Sequence, residues 1–173
     1  MRARELTRLG LMIALQCISC YLIIPLPFSM SPVSMVTLIV NLNGMLLSVK
    51  QVLLSMSAYL LLGLAGLPVF TGGSSGPGKL FGPTGGYLFG WLLAAVLLAY
   101  FRPAKYDFFR YALLGCGVGI PTIYLCGCVQ LQLFTGMGWT AAFLTGAAPF
   151  IPLDVLKVLG AAYLTKHLLP VFK

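Results

Sequence analysis

The stretch PFIPLDVLKVLGAAYL (149–164) decides how this chain is read. Its apolar residues suit a bilayer-spanning helix, yet Asp154 and Lys157 sit at its centre. An ionisable group at membrane depth is unfavourable by about 2.5–3.5 kcal/mol on insertion scales, which marks such a residue as a functional site. A spacing of three puts both side chains on one helix face, where they can neutralise each other. Asp154 is one of three acidic residues; the others, Glu5 and Asp107, lie beside basic residues at span ends. The pair admits three readings: a lock between helices, a proton relay, or a ligand site. Buried ion pairs are poor stabilisers on their own, which favours a functional role over a lock. A carboxylate accepts N–H bonds and an ammonium donates to a carbonyl, so a small uncharged head group carrying both would suit them.

Composition supports the membrane reading. Of 173 residues, 60% are hydrophobic and 8% charged, against about 25% charged in soluble domains. The mean hydropathy is +0.99. The net charge of +8 does not indicate nucleic-acid binding, because the basic residues are scattered at span ends rather than gathered on a polar face. The five cysteines all lie in apolar runs. Cys17/Cys20 and Cys126/Cys128 have no His or acidic neighbour, so they read as small buried hydrophobes and no metal site is expected. Arg2, Arg4 and Arg8 precede an apolar run that resembles a signal peptide. That run contains Gln16, lacks a small-x-small cleavage site and ends in a Pro-rich turn, so it reads as a retained first helix.

Hydropathy gives six spans, at about 6–24, 33–49, 50–66, 86–101, 111–134 and 143–165. The prolines of IPLPFSMSP (24–32) end the first. Lys50, with Ser48 and Gln51, marks the turn between the second and third, and GVGIP (117–121) interrupts the fifth. FRPAKYDFFR (101–110) and TGMGWT (135–140) are polar turns. The expected fold is therefore all-α: one polytopic integral membrane domain over 1–173, with six transmembrane helices and a long Gly/Pro-rich extracellular loop between helices 3 and 4. Arg2, Arg4, Arg8, Lys50, Arg102, Lys105, Arg110, Lys166 and Lys173 all fall on one side of this arrangement. The positive-inside rule puts that side, and both termini, in the cytoplasm.

The loop LPVFTGGSSGPGKLFGPTGG (67–86) holds seven glycines and three prolines, so it is not a membrane helix. GSSGPGKL (73–80) has the spacing of a phosphate-binding loop. Leu80 stands where such a loop needs Ser or Thr, no strand precedes it, and it lies on the side without ATP. The loop reads better as a folded lid, because its glycines let main chain approach a ligand closely. Gly72, Gly73, Ser74 and Tyr87 are candidate ligand contacts, with Lys79 available to an anionic group. Gly10 and Ala14 form a small-xxx-small pair that would let another helix approach. Trp91 and Tyr124 read as packing residues or interface anchors. Gln16, Asn41, Asn43, Gln51, Gln130 and Gln132 either line a cavity or bond between helices. His167 reads as interfacial. A membrane enzyme using Asp154 as base would need a nucleophile–base pair, and His167 is more than two turns beyond Lys157.

GLPVFTGGSSGPGKLFGPTGGYLFGW (66–91) and PFIPLDVLK (149–157) resemble the BioY family. These are biotin-binding S components of energy-coupling-factor (ECF) transporters. IPLP (24–27) and Pro32–Val33 resemble the family's first loop. The resemblance implies six membrane helices, high-affinity capture of biotin from outside, and no enzymatic activity or cofactor. It implies partners too: a transmembrane T component and two cytoplasmic ATPases, with the S component held in membrane lipid of the prokaryotic plasma membrane. Family helix 1 presents small residues to the T component, a role that falls here to Gly10 and Ala14. One departure is visible: the family's early P-V-P-x-T-x-Q run is PVSMVTL (32–38) here, so no site residue is expected in that segment. An S component for another small vitamin and a solitary secondary transporter remain as alternatives.

Overall fold

The computed structural model describes residues 3–24 and 33–172. Arg2, Lys173 and most of the 24–32 turn, including Pro32, lie outside the described residues. The chain forms α1 (Ala3–Ser19), α2 (Val36–Leu46), α3 (Val49–Leu64), α4 (Pro77–Leu80), α5 (Gly85–Phe101), α6 (Phe108–Leu114), α7 (Ile120–Thr135), α8 (Trp139–Gly146) and α9 (Ile151–Phe172). A two-residue antiparallel ladder, Ile23–Ile24 with Val33–Ser34, is the small addition to the expected all-helical fold.

Among the described residues, two helices are long and apolar enough to cross a membrane: Phe108–Thr135 and Ile151–Phe172. Val36–Leu46, Val49–Leu64 and Gly85–Phe101 are shorter apolar helices. At 1.5 Å per residue, the 11 residues of α2 span only about 16 Å. Two details differ from the sequence reading. GVGIP does not break the fifth segment: a π-helical turn at Gly115–Gly119 absorbs it, and the helix runs on. One wider turn relieves the clash that Pro121 would otherwise impose on the preceding turn. The last expected span is split, with α8 ending at Gly146 and α9 starting at Ile151. The break carries Pro149, and Pro152 fits the first turn of the new helix.

α5 is the hub of the bundle, packed on α7, α2 and α3, while α2 also packs on α9. Its contact with α7 rests on Gly86 and Gly90, one turn apart, followed by fully buried Ala94. A Cβ on Gly90 would lie 3.0 Å from the Ile123 backbone, and one on Gly86 would strike the Cys126 carbonyl. Small residues at this spacing bring helices together where no hydrophobic drive operates between them. α2, α5 and α9 run in the same direction. Met45 lies beside both Arg102 and Thr165 at one end, and Thr37 beside Asp154 at the other. Arg102 Nη1 donates to the Met45 and Leu47 carbonyls at 3.0 and 3.2 Å, closing the C-terminal end of α2. Arg8 Nη1 donates to the Phe172 carbonyl at 2.8 Å, joining the start of α1 to the end of α9. The basic helix ends thus gather at one end of the bundle.

The Gly-rich loop packs at the opposite end and is folded. Phe70 is fully buried, edge-on to Tyr59 at 5.7 Å and seated against Gly63, where any Cβ would displace the ring. Tyr21 and Tyr59 donate to the Pro68 and Val69 carbonyls at 2.6 and 3.0 Å. Gln130 Nε2, on α7, donates to the Gly82 carbonyl at 2.6 Å. Gly72 adopts φ +73° and Gly76 φ +86°, conformations that side chains other than glycine rarely take.

Candidate functional site

The N-terminal ends of α2, α5 and α9, the middle and end of α7, and the Gly-rich loop enclose a cavity of about 370 Å³. That volume is in the range of small-molecule sites. Its middle is apolar, with Leu88, Trp91, Ile123, Leu131 and Phe150 among the walls. Its polar groups converge on one place. Asp154, in the first turn of α9, and Lys157, one turn on, line the cavity with only 7% and 8% of their surface exposed. The first turn of a helix favours a carboxylate, which suits Asp154.

The two members of the pair are bonded to each other and to their neighbours. Lys157 Nζ donates to Asp154 Oδ1 at 2.8 Å, to the Ser34 carbonyl at 2.7 Å and to Thr37 Oγ1 at 3.1 Å. Thr37 Oγ1 in turn donates to Asp154 Oδ1 at 3.0 Å. Tyr124 OH donates to the other carboxylate oxygen, Oδ2, at 2.6 Å, a length typical of a charge-assisted bond. Charges buried to this depth need such pairing. The network joins α2, α7 and α9 at one point.

Of the candidate residues, Asp154, Lys157, Lys79 and Tyr87 line this one cavity. Gly72, Gly73 and Ser74 do not; their neighbour Thr71 does. Gly73 instead packs toward the Tyr21 ring, and Ser74 Oγ donates to the Thr71 carbonyl at 2.9 Å. Tyr87 stands edge-on to Tyr124 at 6.4 Å between ring centres. Its hydroxyl donates to the Gly146 carbonyl at 2.8 Å, and its ring lies over Gly127, where a Cβ would displace it. Burial pushes the Lys79 ammonium below its ordinary pKa, because desolvation disfavours the charged form. Gly10 and Ala14 do not line the cavity and lie on the exposed face of α1.

Sequence reading missed Ser34, Thr37, Tyr124 and Trp91. Ser34 and Thr37 come from PVSMVTL, where no site residue was expected, and they hold both members of the pair. The available signal was Thr37 with Asn41, two polar residues one turn apart in an apolar helix; Asn41 Nδ2 donates to the Thr37 carbonyl at 2.7 Å. Tyr124, read as a packing residue, is a ligand of the carboxylate.

A bundle of apolar helices with a self-neutralised Asp–Lys pair at the floor of an apolar chamber has the geometry of a small-molecule site. The whole chain, residues 1–173, matches the model of the BioY family, and the chain belongs to that family. It is 34% identical over 166 residues to the biotin transporter BioY of Thermotoga maritima, covering 95% of each chain. It is 34% identical over 135 residues to the biotin transporter BioY2 of Lactococcus lactis subsp. cremoris, covering 78% of this chain and 74% of that one. Its fold superposes on the crystal structure of the S-component for biotin from an ECF-type ABC transporter with a TM-score of 0.89. The two are 26% identical, with 97% of this chain and 94% of the other covered.

Proposed function

We propose that this protein captures biotin from outside the cell as the substrate-binding S component of an ATP-driven ECF transporter. Its partners are then a transmembrane T component and two ATPase subunits. The observation that carries the reading is the floor of the cavity. A paired Asp154 and Lys157, fixed by three helices, lies under an apolar chamber of about 370 Å³ in a chain of the BioY family. Biotin's ureido group offers two N–H donors and one carbonyl. Asp154 accepts from the first and Lys157 donates to the second. The apolar walls then suit the fused rings and methylene chain, and Lys79, on the loop side, suits the valerate carboxylate. Tyr87 forms a wall, while Gly72, Gly73 and Ser74 shape the turn that presents Thr71.

The same reading takes residues 1–173 as one domain of six transmembrane segments in the prokaryotic plasma membrane, with both termini cytoplasmic. The common direction of α2, α5 and α9 supports alternate crossing, and the basic end opposite the cavity supports the orientation. The loop over 67–86 then faces outward as a lid. Gly10 and Ala14 serve the T component. Capture itself needs no cofactor.

Calorimetric titration of the purified protein with biotin, alongside riboflavin and thiamine, tests the proposal. Saturable, high-affinity binding of biotin alone is expected. Absence of biotin binding, or equal binding of another vitamin, would overturn it.

A further inference from the structure

Hydrogen-bond capacity at the floor is nearly exhausted before any ligand arrives. An ammonium has three N–H donors, and all three on Lys157 are in use. Asp154 Oδ1 accepts two bonds, from Lys157 and Thr37. Oδ2 accepts one, from Tyr124. Among the described residues, the carboxylate therefore keeps one unoccupied acceptor direction, on Oδ2.

That vacancy depends on Tyr124. The residues of an i,i+3 acid–base pair lie close on one helix face. An ammonium is a compact point charge with rotatable donors, so it does not by itself select one carboxylate oxygen. Tyr124 OH, at 2.6 Å, holds Oδ2 away from Lys157, while Thr37 fixes Oδ1 from the α2 side. Tyr124 is itself held by the edge-on ring of Tyr87, which is tied to Gly146.

We propose that Tyr124 and Thr37 are positioning residues: they orient the Asp154 carboxylate so that Oδ2 presents one acceptor to a head-group N–H. The inference rests on the biotin reading above and adds a division of labour within the floor. An incoming N–H lands on Oδ2 with no bond broken. A head-group carbonyl reaches Lys157 only by displacing Ser34 or Thr37. The floor thus recognises its ligand first as a hydrogen-bond donor.

The test is a double-mutant cycle on the full chain in detergent, with biotin as the probe. Tyr124→Phe should weaken biotin binding about tenfold by calorimetry, in a protein that still folds but melts lower because a buried carboxylate oxygen loses its donor. Asp154→Asn should also weaken binding. In the double variant the Tyr124→Phe loss should vanish, because the group it positions is gone. A purely structural role would make the two losses multiply, and that result, or wild-type affinity in Tyr124→Phe, overturns the proposal. If Tyr124→Phe does not purify as a folded protein, Thr37→Val carries the same cycle with the same two outcomes. Failure of the unmodified protein to bind biotin would overturn the biotin reading and this inference together. Binding by the unmodified protein, with losses independent of Asp154, would overturn the positioning role alone.

Discussion

Lys79 borders the cavity from the loop side, and its ammonium has no hydrogen-bond or ion-pair partner among the described residues. Burial lowers its pKa from the ordinary 10.5. The charge is present at low and neutral pH and is lost, as pH rises, earlier than for a free lysine. A ligand carboxylate is ionised from about pH 6 upward. Biotin affinity should therefore hold steady through neutral pH and fall on the alkaline side, before the usual lysine range. Lys79→Met should bind a few-fold more weakly at pH 7, in line with a partly exposed charge pair, and should lose the alkaline fall. Calorimetry across pH on both proteins measures this; identical profiles would remove Lys79 from the site. Among residues, what could be read in advance follows from chemistry. Asp154 and Lys157 stood out because a charge in an apolar run has few explanations. Thr37 and Tyr124 did not, because a hydroxyl in such a run is cheap and its direction is set by distant packing. Thr37 and Asp154 are 117 positions apart and meet only when α2 lies alongside α9.

At the scale of elements, the walls of the cavity depend on how closely two helices approach. Tyr87, Leu88 and Trp91 come from α5, Ile123 and Tyr124 from α7. The two backbones are brought together at Gly86 and Gly90, where an added Cβ meets main-chain atoms rather than a movable side-chain tip. Overpacking of this kind costs about 1–3 kcal/mol. Gly90→Val should lower the melting temperature and weaken biotin binding together, because it moves both walls; scanning fluorimetry and calorimetry on one preparation give both readouts. A variant with wild-type stability would mean that α5 and α7 are not in this register. Helix positions were legible because apolar runs and Pro/Gly clusters mark them. The π turn and the split of the last segment were not. Pro121 and Pro149 both announce a disturbance, but whether the chain widens by one residue or stops depends on what packs against it. At Gly115 an added Cβ would strike Val158, Gly119 packs beside Asn41 and Leu98, and Gly117 is open, so the π turn sits against its neighbours on one side only.

For the whole molecule, capture and transport should be separable, because the proposed ligand and partner sites lie on different faces. The cavity lies at the loop end of the bundle, with its polar floor inside. Gly10 and Ala14 lie on α1, and around a Gly10 Cβ there is nothing within 4 Å. Leu6, Leu11 and Ile18 are exposed on the same helix at 64%, 52% and 60%. An open small-residue notch flanked by leucine admits a close helix neighbour that the isolated chain does not supply. Its counterparts inside the bundle, Gly86 and Gly90, are already filled by α7, which is what distinguishes a contact made in folding from one left for a partner. Gly10→Leu should therefore leave biotin affinity and melting temperature of the isolated protein unchanged. Co-expressed with a T component and its ATPases, the same variant should copurify poorly and give little ATP-dependent biotin uptake. Wild-type copurification and uptake would assign this face of α1 to lipid, and the partner would have to dock elsewhere on the bundle.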